Sequence, residues 1–94
     1  MTHELKTLPA YWDAVNRGEK NFEVRRDDRG FQRGDILELV RHNGRHVENF
    51  DLRLVESPPT KKDYTLRREI AYILTGGQFG IEPGYVVMAL KEVS

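Results

Sequence analysis

The sequence predicts a small α+β domain, a β-barrel of five to six mostly antiparallel strands with one or two short helices. Three observations carry that expectation. Apolar and polar residues alternate over short runs, the period of a half-buried strand. Turns rich in glycine, proline and asparagine separate those runs. Helical spacing occurs after Pro9 and nowhere else with comparable clarity. The 94 residues suffice for one domain spanning 1–94 and leave no room for a second. A chain this short buries roughly 60–65% of the surface it exposes when unfolded. Its core is therefore thin, and a closed or nearly closed sheet uses a thin core well while removing open edges.

Residues 3–8 read as a short edge strand. Pro9 then opens a helix at its first turn, where a missing N–H costs nothing. Tyr11, Trp12, Ala14 and Val15 fall at helical spacing, and Gly18 stops the helix after about nine residues. Residues 21–26 form the next strand, with Phe22 and Val24 pointing one way and Asn21, Glu23 and Arg25 the other. Residues 27–34 lack an apolar period and make a loop pinned by Phe31. Gly34-Asp35 turns the chain into a strand over 36–41. Asn43-Gly44 is the strongest hairpin signal, returning into a long strand over 45–55 in which Asn49 marks a bulge or a break. Pro58-Pro59 and Lys61-Lys62 make 57–63 a solvated loop. The following strand, from Tyr64 or Leu66 to Leu74, places Ile70, Tyr72 and Leu74 on one face. Gly76-Gly77 ends it, and the apolar strand 85–90 closes the domain.

Composition excludes several classes. Leu, Ile, Val and Phe supply 25 of 94 residues, above the level of a disordered chain. No apolar run approaches the roughly 18 residues a membrane span needs. Glu4 and Lys6 stand where a signal peptide requires an apolar core. With no cysteine there is no disulfide scaffold, thiolate metal site or cysteine nucleophile. These features point to a cytoplasmic globular domain that does not engage membranes. Fifteen cations balance fifteen anions, for a net charge of zero. Ten of the cations are Arg, whose fork suits phosphates and carboxylates. Between Lys20 and Arg33 lie five cations and three anions, a local excess of two. Global neutrality is thus compatible with a local anion site.

The stretch from Gly18 to Arg25 is the most informative. Glu23 and Arg25 share one strand face with Lys20 just before it, so a carboxylate and two cations converge within about 10 Å. If that face lines a concavity, Arg25 can hold an anion while Glu23 accepts from a base edge. The plain alternative is an exposed face carrying an ordinary ion pair. Asp27 and Asp28 read best as a polar turn whose side chains bond their own backbone, whereas Arg29 can reach back toward the Glu23 face. The run 76–84 is glycine-rich but is no phosphate loop, since neither Lys-Ser nor Lys-Thr follows. Gln78 and Phe79 at its tip suit reading and stacking on a base. A double turn with Phe79 in the core explains the same residues equally well. His42 and His46 mimic helical ligand spacing, but Asn43-Gly44 lies between them, so no metal site is expected. Ser57, Thr60 and Ser94 are poorly placed as nucleophiles, and no cofactor is implied.

Gly18-x-Lys20-x-x-Glu23-x-Arg25, followed by Phe31-x-x-Gly34-Asp35, resembles the signature of the ASCH superfamily, small domains with a PUA-like β-barrel. The opening His3-Glu4-Leu5-Lys6 and the closing run from Tyr72 to Ile81 are similar to one uncharacterised branch of it, a domain of unknown function. The middle, about 43–62, departs from a short hairpin and looks like an insertion. The resemblance implies a pocket beside the helix, lined by Lys20, Glu23 and Arg25, with RNA or a nucleotide-like group as ligand. Some ASCH proteins are amidohydrolases that deacylate a modified cytidine with Lys, Thr and Glu. Here Lys20 matches the lysine, but Glu23 occupies the threonine position, and a carboxylate is a poor nucleophile for that reaction. Ribonuclease activity is attributed to other members.

Three functional expectations follow. The first is an RNA- or nucleotide-binding module in which Lys20 and Arg25 hold phosphate, Glu23 accepts from a base, and Phe79 or Tyr85 stacks. Arg29 and Gln78 complete that ligand-binding set. The second is a hydrolase acting on RNA or a modified nucleoside, with Lys20 and Glu23 as its candidate catalytic residues. The third is a protein-interaction module working through residues 45–63.

Overall fold

The computed structural model describes residues 1–42 and 61–93. The Asn43-Gly44 hairpin, the 45–55 strand with Asn49 and most of the proline loop lie outside the described residues. Along the chain run β1 (Thr2–Thr7), α1 (Pro9–Asn16), β2 (Phe22–Arg26), β3 (Ile36–Arg41), a short 3₁₀ turn (Lys61–Tyr64), β4 (Thr65–Thr75) and β5 (Tyr85–Glu92). The strands form one mixed sheet in the order β1-β3-β4-β5-β2. β1 runs parallel to β3, and every other pairing is antiparallel. A parallel pair needs a crossover, which α1 and β2 supply. The sheet curls into a half-barrel, and among the described residues β1 and β2 are its edges, facing each other without backbone pairing.

The inner face carries the core. Leu5 from β1, Leu37 and Leu39 from β3, Ile70 from β4, and Val86 and Met88 from β5 are all buried. Trp12 and Val15, three apart on α1, cover this cluster. The Trp12 indole donates to the Leu39 carbonyl at 2.9 Å, so its polar atom is satisfied while its rings pack. Arg41 holds the helix from outside, its Nε and Nη2 on the two Asp13 carboxylate oxygens at 3.0 and 3.1 Å. Phe31 is buried and pins the loop before β3, as its position in a polar stretch predicts. Among the described residues no helix is long and apolar enough to cross a membrane.

Two faces differ from the alternation read in the sequence. On β4 the pairing with β5 skips from Ile70↔Leu90 to Tyr72↔Ala89. The extra residue, Ala71, makes a bulge and inverts the parity beyond it. Ile70 therefore faces the core while Tyr72 is 56% exposed, and the two do not share a face with one another. On β2 the alternation holds, but Glu23 takes the buried side and Phe22 and Val24 the exposed one.

A buried carboxylate ties the N-terminal strand to this frame. Asp35 Oδ2 accepts from His3 Nε2 at 2.8 Å and from the Gln32 N–H at 3.0 Å, and Oδ1 accepts from the Met1 amine at 3.0 Å. The His3 ring packs edge-on against Phe31, with centres 4.8 Å apart. The hydrogen bond from His3 is the main reason the Asp35 carboxyl titrates below its ordinary value; burial opposes that shift, and the Met1 and Gln32 bonds reinforce it. A depressed native value adds stability above the unfolded value of about 3.9, lost as pH falls through the native one. Asp35→Asn is expected to lose about 1–3 kcal/mol at pH 7. Its urea-unfolding free energy should converge on that of the wild type as pH drops below about 4. Parallel curves from pH 7 to pH 3 would refute the assignment.

Candidate functional site

The end of α1 positions the first member of the site. Gly18 adopts a φ of 80°, a left-handed conformation that glycine enters without strain. Its N–H donates to the Val15 carbonyl at 3.1 Å, and the Glu19 N–H donates to Ala14 at 2.9 Å. Together these bonds make a Schellman closure. The Lys20 N–H meets the same Ala14 carbonyl at 3.1 Å, which turns the chain over the helix end and brings Lys20 beside β2.

Glu23 follows on the inner face of β2 and is only 3% exposed. Its Oε1 accepts from Lys20 Nζ at 2.7 Å and its Oε2 from Arg25 Nε at 3.0 Å. Lys20 Nζ also donates to the Phe22 carbonyl at 2.7 Å. Arg25 Nη2 donates across to β1, to the Lys6 carbonyl at 3.0 Å and the Thr7 hydroxyl at 3.2 Å. The carboxylate thus aligns two cations in fixed geometry, and the trio carries a net charge of +1. Among the described residues Arg25 Nη1 has no hydrogen-bond partner, so one edge of its fork remains available.

An open cavity of about 640 Å³ lies over this trio, between the end of β1, the helix and β2. Its walls include Thr7, Tyr11, Phe22 and Val24 beside the charged residues. The Lys20 ammonium stands 4.9 Å from the Phe22 ring centre and 5.6 Å from that of Tyr11. Apolar walls around a few convergent polar groups are the usual makeup of a small-ligand site. The plain alternative, an ordinary ion pair on an exposed strand face, does not fit a carboxylate this deeply buried.

Lys20, Glu23 and Arg25 therefore meet, but the other candidates do not join them. Arg29 reaches β1 instead of the Glu23 face, its Nη1 donating to the Glu4 carbonyl. It stitches the β1 edge two residues from where Arg25 does. Gln78 turns its amide back onto the Thr75 carbonyl at 2.9 Å. Phe79 lies outside the core at the loop tip, 82% exposed, with a left-handed φ of 52° that is costly for a bulky side chain. Tyr85 lines a separate hollow with Val24 and Val87. Asp27 accepts from the Phe31 N–H at 3.1 Å, which makes it a turn residue. Among the described residues no three His, Cys, Asp or Glu side chains are grouped to hold a metal ion, and His46 lies outside them. Of the 45–63 segment only residues 61–63 are described, in the 3₁₀ turn.

Two members of the site escaped the sequence reading. Thr7 is 2% exposed and accepts from Arg25. Its signal was the His3, Leu5, Thr7 alternation, which puts it on the inner face of β1. Tyr11 belongs to the helical apolar pattern, yet it is 54% exposed and walls the cavity.

The family model Domain of unknown function (DUF3850) matches residues 2–90. The chain is also similar to the "Uncharacterized 12.9 kDa protein in GpA 3'region" of Escherichia phage P2. The two are 34% identical over 73 residues, which cover 72% of this chain and 67% of that protein.

Removing the Glu23 carboxylate leaves Lys20 and Arg25 facing each other with no counterion. Glu23→Ala is expected to cost about 2–4 kcal/mol in chemical denaturation, and Glu23→Gln, which keeps shape and an acceptor, about half that. A Glu23→Ala loss below about 0.5 kcal/mol would match an exposed pair and contradict the buried arrangement.

Proposed function

The chain belongs to the DUF3850 family, and from the geometry of its cavity we propose that it binds RNA or a nucleotide-like ligand at Lys20, Glu23 and Arg25. The observation that carries this reading is the buried Glu23 carboxylate gripped by two cations under an aromatic-walled cavity. The trio's surplus positive charge suits one phosphate or another single anion. Lys20 offers its third N–H and Arg25 its Nη1 edge, while Tyr11 and Phe22 provide ring faces for a base. Glu23 acts by holding the cations, a change from the role of base acceptor read from the sequence, because both of its oxygens are engaged and it is almost fully covered. A half-barrel with this trio beside the helix also fits membership of the ASCH superfamily and its PUA-like barrel.

Binding is favoured over hydrolysis by the way Lys20 is bonded. Its Nζ is held between Glu23 Oε1 and the Phe22 carbonyl at 2.7 Å each, positions that tie it to the protein's own acceptors, whereas a general base must turn its nitrogen toward the substrate. Thr7, the hydroxyl nearest the trio, accepts from Arg25 and donates to the Leu5 carbonyl at 3.3 Å. Among the described residues no base is bonded to it.

Calorimetric titration with nucleoside monophosphates tests the reading. Lys20→Met and Arg25→Lys are each expected to weaken binding about ten-fold, since a charge-assisted contact contributes about 1.5–3 kcal/mol. For a short single-stranded RNA, one or two phosphate contacts predict a shallow salt slope, log K falling about 0.7–1.4 per decade of salt. No binding by the wild type, or equal binding by both variants, would refute the site.

A further inference from the structure

The outer face of the sheet, behind the cavity, carries a second pattern. Paired residues on neighbouring strands share a face. The register aligns Phe22 with Ala89 and Ala89 with Tyr72, and on the next outward row Val24 with Val87 and Val87 with Leu74. One row further, Arg26 pairs with Tyr85. The Ala71 bulge makes this possible, because it turns Tyr72 outward into the same face as Phe22. Three aromatic rings therefore border an apolar centre on β4, β5 and β2. Phe22 is 43% exposed, Val24 51% and Tyr72 56%, so this face has no covering layer among the described residues.

Each ring has a cation beside it, and the one beside Phe22 is the cavity's own Lys20. Lys20 Nζ lies 4.9 Å from the centre of Phe22, the Arg26 guanidinium 5.5 Å from Tyr85, and that of Arg33 5.7 Å from Tyr72. Arg33 is further anchored by its Nε donating to the Ala71 carbonyl at 3.2 Å, so the bulge residue itself holds it over the ring. Two carboxylates share this side: Glu69, neutralised by Lys91 at 3.1 Å one row beyond Ala89, and Glu82, on the rim of the hollow beside Tyr85. Rings with an adjacent cation offer a stacking surface and a phosphate contact together.

The spacing sets the size of the ligand. Two inter-strand steps separate Phe22 from Tyr72, about 10 Å, and four residues separate Phe22 from Arg26, about 13 Å. A mononucleotide cannot reach all three pairs. A short single strand can, and its alternation of flat bases with phosphates matches the alternation of rings with cations. A protein partner would need three separate anionic groups around an apolar centre to satisfy the same face.

We infer that the outer face of β2, β5 and β4 is a stacking platform for single-stranded RNA, continuous with the nucleotide cavity along Phe22 and Val24. The inference rests on the nucleotide reading of the cavity and extends it: the ligand is an oligonucleotide whose end enters the cavity while neighbouring bases lie on Tyr85 and Tyr72.

Fluorescence anisotropy with labelled single-stranded RNA octamers, beside calorimetry with nucleoside monophosphates, tests it on the full chain. The octamer should bind at least ten-fold more tightly than the monophosphate. Tyr72→Ala, Tyr85→Leu and Arg26→Gln should each weaken octamer binding about five-fold or more and change monophosphate binding less than two-fold. Tyr72 and Arg26 are exposed, so these variants report on binding even if Tyr85→Leu perturbs folding. Equal affinity for octamer and monophosphate, or octamer binding untouched by all three variants, would overturn the platform and leave the cavity reading standing. Absence of binding by either ligand would overturn both. Concentration-dependent dimerisation abolished by Val24→Asp, without octamer binding, would assign the face to a second copy of the chain and also overturn the proposal.

Discussion

The structure depends on a pairing that its described residues do not make. Among them the sheet runs β1-β3-β4-β5-β2, and its edges, β1 and β2, face each other across a seam. Unpaired edge carbonyls need partners. On β1 those of Glu4 and Lys6 find them in the guanidinium groups of Arg29 and Arg25. The two arginines act as side-chain rungs where backbone rungs are absent. A closed barrel of this size would fill its interior with side chains. Here the seam leaves room for a cavity, and the rung nearest the helix, Arg25, is also part of that cavity's floor. Closure of the fold and construction of the site thus fall on the same residue.

The seam also explains the polarity of β2. An edge strand beside an apolar interior would turn Phe22 and Val24 inward. The inner surface at the seam is instead the polar floor of the cavity, shared with Thr7, so Glu23 and Arg25 take the inner positions and the apolar pair goes outside. That inversion gives the domain two chemically distinct faces from one five-residue strand. The inner face presents a fixed pair of cations and the outer one presents rings and aliphatic side chains. Net neutrality of the chain is compatible with both, because the charges act within a few ångströms of one another and not as a broad field.

Much of this was legible in the sequence because local signals were strong. Pro9 and Gly18 bracket α1 as expected, the 36–41 strand is found where its composition puts it, and Phe31 pins its loop. The convergence of Glu23 and Arg25 follows from spacing alone, since residues two apart on a strand share a face, while Lys20, just outside β2, is brought beside them by the turn after Gly18. Three features were not legible, each for a physical reason. Alternation gives the two faces of β2 but not which is buried, because that depends on the open seam. The face of Tyr72 depends on a bulge at Ala71, and an alanine carries no bulge signal. Arg29 and Gln78 are long polar side chains whose partners, the Glu4 and Thr75 carbonyls, are set by tertiary geometry. Phe79 fits neither expectation fully: it is at the loop tip and exposed, in a backbone conformation that an apolar core position would not require.

The buried carboxylate argues for function beyond its part in stability. Taking Glu23 out of water carries a large desolvation cost, and the attraction of Lys20 and Arg25 in the interior does little more than offset it. An apolar side chain packed against Thr7 and Leu5 would hold the inner face of β2 at similar or lower free energy. What such a replacement would not do is fix two cations at a set spacing under an open cavity. Arg25 would swing toward solvent or onto β1 alone, and Lys20 would lose the contact that draws its ammonium between Tyr11 and Phe22. Preorganised donors bind an anion without first having to order their own side chains. On the proposed function, the trio is a device that holds positive charge in place for a ligand, with the fold's open seam providing the space for it.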